Sequence, residues 1–199
     1  MLQKLVIATS NPHKVEEIEA VLGQIGIACL PMGDAGIPEP EEDGATFEEN
    51  ARIKAVAYAR ALGTTVLADD SGLEVDALGG APGVHSARYA GVGATRADRD
   101  AANNAKLLRE LEQVPDAGRT ARFLCVLCIA REDGTIVAES RGAFDGVIGR
   151  APRGTNGFGY DPLLVLPDGR TSAELSPAEK NARSHRGNAL RAMVAKLRA

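Results

Sequence analysis

The run Thr64-Thr65-Val66-Leu67-Ala68 passes directly into Asp69-Asp70, and this junction constrains the fold more than any other stretch of the chain. A short β-branched and apolar run reads as a buried strand. Two adjacent carboxylates at its C-terminal end are costly unless they are paired, protonated or bound to a cation. Ser71-Gly72 reads as a turn closing the strand. In an open α/β sheet the carboxyl ends of the strands are where ligands bind. The acidic pair therefore reads either as a hard-oxygen site for a divalent cation, magnesium foremost, or as a solvated turn.

The segments around this junction alternate in period. Val6 to Thr9 ends a first strand, and Ser10-Asn11-Pro12 breaks it. A helix is expected from about His13 to Gln24, with Val15, Ile18, Val21, Leu22 and Ile25 as its apolar stripe. Ile27 to Pro31 reads as a second strand, and residues 33–44 as a loop rich in glycine, proline and acid. Thr46 with Glu49 forms a capping box that opens a helix ending at Leu62, where Gly63 stops it. A polar helix spans Thr95 to Leu111, and Arg122–Ile129 and Thr135–Ser140 flank the hairpin signal Glu132-Asp133-Gly134. Residues 146–159 read as a glycine-rich loop, Leu163–Leu166 as a short strand, and Ser176-Pro177-Ala178-Glu179 as the capped start of the last helix. Interleaved helices and strands with one inserted hairpin imply an α/β fold with a mixed sheet, as a single domain over residues 1–199. A chain of this length buries roughly two-thirds of the surface its unfolded form exposes, so it needs no staples.

Charge and cysteine usage narrow the function classes. The net charge of -4 disfavours bulk DNA or RNA binding. It leaves room for a small anionic substrate in a local cationic pocket. No apolar run is long enough to span a bilayer, and the N-terminal apolar stretch is too short for a secretory signal, so the chain reads as cytosolic. The three cysteines do not suggest a disulfide framework. Cys125 and Cys128 lie three apart in an extended apolar run, point to opposite faces, and read as core rather than as a metal pair.

Five further segments can carry chemistry, each with a plainer reading beside it. Thr9-Ser10-Asn11-Pro12-His13-Lys14 brings short donors and a lysine to a helix N-terminus, which favours an anion. The alternative is an ordinary cap followed by a surface lysine. Lys54 lies seven residues on from Phe47, so a period of about 3.6 residues sets it within about 20° of the buried stripe. There it either snorkels or meets an anion. Gly157-Phe158-Gly159-Tyr160-Asp161-Pro162 sets two aromatics and a carboxylate in a glycine-flanked loop, suited to a base and a ribose or to a packed turn. Lys180, Ser184, His185 and Arg186 fall on the last helix as donors, or as ordinary helix-surface residues. Glu41, Glu42 and Asp43 are either a solvated run or a source of one more metal oxygen.

Taken together, these segments resemble the inosine/xanthosine triphosphate pyrophosphatase family, which removes non-standard purine nucleotides. The likeness rests on T-S-N-P-H-K at Thr9–Lys14, F-E-E-N-A at Phe47–Ala51 and A-D-D-S-G-L at Ala68–Leu73. It continues through G-G-A-P-G-V-H-S-A-R-Y at Gly79–Tyr89, G-F-G-Y-D-P at Gly157–Pro162 and S-H-R-G at Ser184–Gly187. The resemblance implies an elongated α/β fold with a twisted mixed sheet flanked by helices, two lobes with a central cleft, and a homodimer. It implies magnesium-dependent hydrolysis of dITP, ITP or XTP to the monophosphate and pyrophosphate. Asp70 matches the proton acceptor and a metal ligand, Glu42 the other metal position, and Asp69 a polar neighbour that can join the metal. Thr9, Ser10, Asn11, Pro12, His13, Lys14, Lys54, Ser71, Phe158, Gly159, Tyr160, Asp161, Lys180, His185 and Arg186 match substrate-binding positions. Two other readings stand beside this one: a related pyrophosphatase acting on other nucleotides, and a nucleotide sensor without turnover.

Overall fold

A computed structural model describes residues 2–9, 11–33 and 36–198. A sheet of six strands runs in the order β2-β1-β3-β4-β5-β6, with β1 Lys4–Ala8, β2 Ala28–Pro31, β3 Val66–Val75, β4 Thr120–Ala130, β5 Ile136–Ile148 and β6 Leu164–Val165. The sheet is mixed as expected: β1 pairs in parallel with β2 and β3, whereas β5 and β6 are antiparallel. The helices are α1 Pro12–Leu22, α2 Phe47–Leu62, α3 Arg96–Glu110, α4 Pro177–Arg183 and α5 His185–Arg198. Among the described residues no helix is long and apolar enough to cross a membrane.

The chain divides into two compact units. Unit 1 comprises residues 1–70, 125–142 and 185–199, and unit 2 comprises 71–124 and 143–184. Each has its own apolar core. In unit 1, Leu5, Ile7, Leu67, Leu127 and Ile129 of the strands pack with Ile18 and Leu22 of α1 and Leu190 and Met193 of α5. In unit 2, Leu73, Val75 and Phe123 pack with Leu107 and Leu111 and with Tyr160, Leu163 and Leu164. Arg119 is fully buried there, and its guanidinium donates to the carbonyls of Leu111, Ile148 and Gly149, which satisfies orphan acceptors after α3 and β5.

Three expectations need correction, and glycine accounts for two. Ser71-Gly72 is not a turn: β3 continues to Val75, so the acidic pair stands mid-strand. A Cβ at Gly72 would meet Ser86 Oγ at 2.4 Å and the Gly83 carbonyl at 2.7 Å, so this glycine marks a close approach. Gly146 likewise lies inside β5, where a Cβ would come within 2.5 Å of the Val165 carbonyl on the paired strand. The third concerns the last helix, which is two helices. Ser184 adopts an extended conformation (φ -68°, ψ 162°) between α4 and α5. Serine with that backbone is the usual residue ahead of a new helix.

The caps follow the sequence closely. Thr46 Oγ1 accepts from Glu49 N, but the Glu49 carboxylate reaches Ala45 N rather than Thr46 N, one residue short of a full capping box. Thr95 and Asp98 form the complete box on α3, and Ser176 and Glu179 the complete box on α4.

Candidate active site

The expected site residues fall into two clusters, one inside each unit. The unit 1 cluster grows from the middle of β3. Successive residues on a strand point to opposite faces, so Asp69 and Asp70 part company at once. Asp69 is buried, with Oδ2 2.8 Å from Lys14 Nζ and 3.4 Å from Arg186 Nη2. Arg186, fully buried at the start of α5, gives its other amino group to Glu17 of α1. Burial alone would raise the Asp69 carboxyl, but Lys14, Arg186 and Lys54 outweigh it and hold the group well below the usual carboxylate range. Burial would likewise lower Arg186, yet Asp69 and Glu17 hold it above its ordinary value.

Asp70 faces α2. Its Oδ1 accepts from Lys54 Nζ at 2.8 Å, and the same ammonium stands 3.2 Å from Glu42 Oε1. Lys54 is buried on the core side of its helix, where helical phase set it. The neighbouring glutamates differ in setting: Glu42 meets Lys54, whereas Glu41 is exposed. Burial raises the Asp70 carboxyl above its ordinary value, and Lys54 only partly offsets this. Burial alone would lower Lys54, but Asp70, Asp69 and Glu42 raise it. The second Asp70 oxygen, Oδ2, is buried with no hydrogen-bond partner among the described residues. A buried, unpaired carboxylate oxygen beside a second carboxylate fits a hard divalent cation. Asp70 and Glu42 are the residues that would hold it. Among the described residues no group of three or more acidic, histidine or cysteine side chains gathers around one point.

The β1–α1 connection supplies the other expected donors. Thr9 Oγ1 accepts from Asn11 N at 3.2 Å, and Asn11 is buried. Pro12 and His13 form the first positions of α1. Ser10 lies outside the described residues.

The unit 2 cluster is built around the Phe158 loop. Asp161 is buried, and its Oδ2 accepts from Lys180 Nζ at 2.6 Å and from Phe158 N at 2.8 Å. Its Oδ1 accepts from Ser172 Oγ at 2.7 Å. Lys180 Nζ also stands 5.2 Å from the Phe158 ring centre. Gly157 makes this possible, because a Cβ there would lie 2.1 Å from Asp161 Oδ2. Tyr160 is packed in the core with its hydroxyl on the Ser86 carbonyl at 2.9 Å, so it shapes the loop from behind. Gly159 takes φ +61°. Ser71 is half-buried on β3, the first residue of this unit. His185 and Arg186, expected on one helix with Lys180, belong to α5 in unit 1.

A sequence model described as the Ham1 family matches residues 5–196. The chain belongs to the Ham1 family. It is 49% identical over 198 residues to a dITP/XTP pyrophosphatase of Thioalkalivibrio sulfidiphilus, covering 98% of each chain. It is 48% identical over 200 residues to a dITP/XTP pyrophosphatase of Escherichia coli strain K12, covering 99% of each. Among solved structures, a HAM1 protein from Coxiella burnetii superposes with a TM-score of 0.88 at 44% identity, covering 99% of this chain and 98% of that one. Those matches extend over both units of the chain.

The sequence analysis did not name Glu17, and it gave no role to Asn50 or Gly44. Glu17 balances Arg186 from one turn inside α1, and nothing in a lone helix glutamate signals that. Asn50 is fully buried and accepts from Gly44 N at 2.9 Å, which anchors the loop bearing Glu42. Gly44 is required for that contact, since a Cβ would stand 2.6 Å from Asn50 Oδ1. The F-E-E-N-A motif named Asn50 without its purpose.

Proposed function

We propose that this chain hydrolyses dITP, ITP and XTP to the monophosphate and pyrophosphate, and so removes non-standard purines from the nucleotide pool. The observation that carries the reading is the buried Asp70 carboxylate, with one oxygen on Lys54, the other unpaired, and Glu42 across the same ammonium. The dITP/XTP pyrophosphatases to which the chain is nearly half identical support the substrate class.

In this reading Asp70 takes the proton of the attacking water. Its raised carboxyl makes it a better proton acceptor than an ordinary aspartate. Water oxygen bonds to the α-phosphorus, the bond from that phosphorus to the bridging oxygen breaks, and pyrophosphate leaves. Lys54 and Lys14 offset charge on the phosphates, each held in place by a carboxylate of β3. A magnesium ion on Asp70 and Glu42, when bound, supplies positive charge at the phosphate oxygens and makes water more acidic. Asp69 serves differently: its charge is matched to Lys14 and Arg186, so it orients those cations. The Phe158 ring is the candidate stacking surface for the purine, and a donor to the purine 6-carbonyl would be opposed by adenine's amino group. A homodimer in the cytosol is the assembly and compartment that go with this reading.

The test is pyrophosphate and orthophosphate release from ITP, XTP, dITP, GTP and ATP, with and without magnesium. Pyrophosphate from the first three alone, abolished by chelation, is expected. Equal release from ATP and GTP would refute the specificity, and binding without release would leave a sensor.

A further inference from the structure

Helix α3 is the polar helix expected from the sequence, and three of its polar residues, spaced four apart, meet the Phe158 loop. Arg96, Asp100 and Asn104 share one side of the helix. Asp100 Oδ2 accepts from Gly159 N at 2.9 Å, and Asn104 Nδ2 donates to the Gly159 carbonyl at 3.0 Å. The Arg96 guanidinium carbon lies 4.7 Å from the Phe158 ring centre, within cation–π range. Asp161 completes the hold from the other side, accepting from Phe158 N and donating its own N–H to the Phe158 carbonyl at 3.2 Å.

Each peptide group next to the ring is thus tied to a side chain or to a turn. Gly159 has a left-handed backbone and no side chain to wedge it in place. Loops of this composition are ordinarily mobile. Here both hydrogen-bonding groups of Gly159 are taken by α3, and the ring before it has one course to follow. The helix itself is firmly set by the Thr95–Asp98 box, by buried Asn103 on the Ser86 and Ala87 carbonyls, and by Leu107 and Leu111 in the core.

We infer that Arg96, Asp100 and Asn104 form a positioning rail that presets the Phe158 ring for a purine base. The inference rests on the nucleotide reading above and adds to it the residues that fix base affinity. These residues touch the loop, so they are positioning residues. Their loss lets the ring wander in the free protein, and substrate binding must then reorder it. The chemistry at Asp70, in unit 1, stays intact. The expected signature is a raised KM at nearly constant kcat.

The experiment uses the full chain with magnesium and ITP, comparing Asp100→Ala, Asn104→Ala, Asp100→Asn and Arg96→Gln. Removing one tether hydrogen bond should raise KM about 3- to 10-fold in each alanine variant, with kcat within about 2-fold. Asp100→Asn keeps an acceptor and should return KM close to wild type, which general damage to the helix would not predict. Arg96→Gln should give the smallest rise. Arg109→Ala, exposed at the far end of the same helix, should change nothing. Unchanged KM in both alanine variants overturns the proposal, as does a fall in kcat at constant KM or an Asp100→Asn variant no better than alanine. If one alanine variant fails to fold, the other decides. Failure of both overturns the proposal, because the contacts then hold the fold rather than the ring. Absence of pyrophosphate release by the wild-type chain would refute the nucleotide reading instead.

Discussion

The two clusters are held by different physics. In unit 1, Asp69, Asp70, Glu17 and Glu42 are matched to Lys14, Lys54 and Arg186, all but the loop residue Glu42 carried on β3 or on helices, with most of the charges buried. In unit 2, the Phe158 loop has one buried ion pair, Asp161 with Lys180, and otherwise hangs on hydrogen bonds to its backbone. Paired charge in a dry setting fixes the position of each partner strongly, because removing one leaves the other buried and uncompensated. Backbone tethers fix a shape more gently, each through a single neutral or singly charged contact. On the function proposed, the first arrangement would serve phosphates and proton transfer, and the second a flat base.

The largest effect should come from Asp70→Asn, which keeps the shape and removes the base. A loss of about 10²–10⁴-fold in kcat is expected with the fold intact. Near-normal turnover in a steady-state pyrophosphate assay would break the assignment and with it the contrast between the clusters. Asp69→Ala should act on stability instead. It leaves the Arg186 guanidinium and Lys14 without their shared carboxylate, and a loss of about 3–5 kcal/mol in a urea titration is expected. An unchanged midpoint would show that Glu17 alone balances Arg186.

Phe158→Ala probes the other cluster. Loss of a stacking face is worth about 1–3 kcal/mol, so KM for ITP should rise about 5- to 150-fold while unfolding barely changes. A pure kcat effect would move Phe158 from binding into chemistry. The smallest effect sharpens the comparison through stability rather than turnover. All the cysteines lie in unit 1. Burial pushes the Cys125 and Cys128 thiols up to about 12, and burial with the nearby Glu19 pushes Cys29 up to about 11. The thiolate is the reactive form, so at pH 8 the native protein should resist a thiol reagent at Cys125 and Cys128, and reaction should accelerate as pH rises toward those values or as unit 1 opens. The chain has no tryptophan, so a Phe158→Trp variant gives unit 2 a fluorescence reporter of its own. Coincident thiol exposure and fluorescence change in urea would show that the units unfold together, and separated transitions that the two kinds of cluster differ in strength.

Much of this was legible in the residues because it depends on local period and chemistry. The phase of α2 set Lys54 toward the core, Thr46 and Gly63 bounded that helix, and the T-S-N-P-H-K and G-F-G-Y-D-P segments announced their loops. Glycine misled the reading twice, at Gly72 and Gly146. A missing Cβ signals either freedom to turn or the close passage of another segment, and only the neighbour tells which. Ser184 hid a helix break for a related reason, since a serine inside a helical pattern is tolerated until the partners of Lys180 and His185 diverge.

By itself the sequence determined the α/β class, the order of elements up to the last helix, the buried cysteines and most residue types of both clusters. Helical and strand periods, capping chemistry and an improbable pair of adjacent carboxylates are properties of a few neighbouring residues. Only the tertiary structure decided that Asp69 and Asp70 serve opposite faces of β3, that Glu42 rather than Glu41 meets Lys54, that Arg186 is committed to Asp69 and Glu17, and that α3 grips the Phe158 loop. Each of those pairings joins residues distant along the chain, and a charged or polar side chain looks solvated until the partner that buries it is in place.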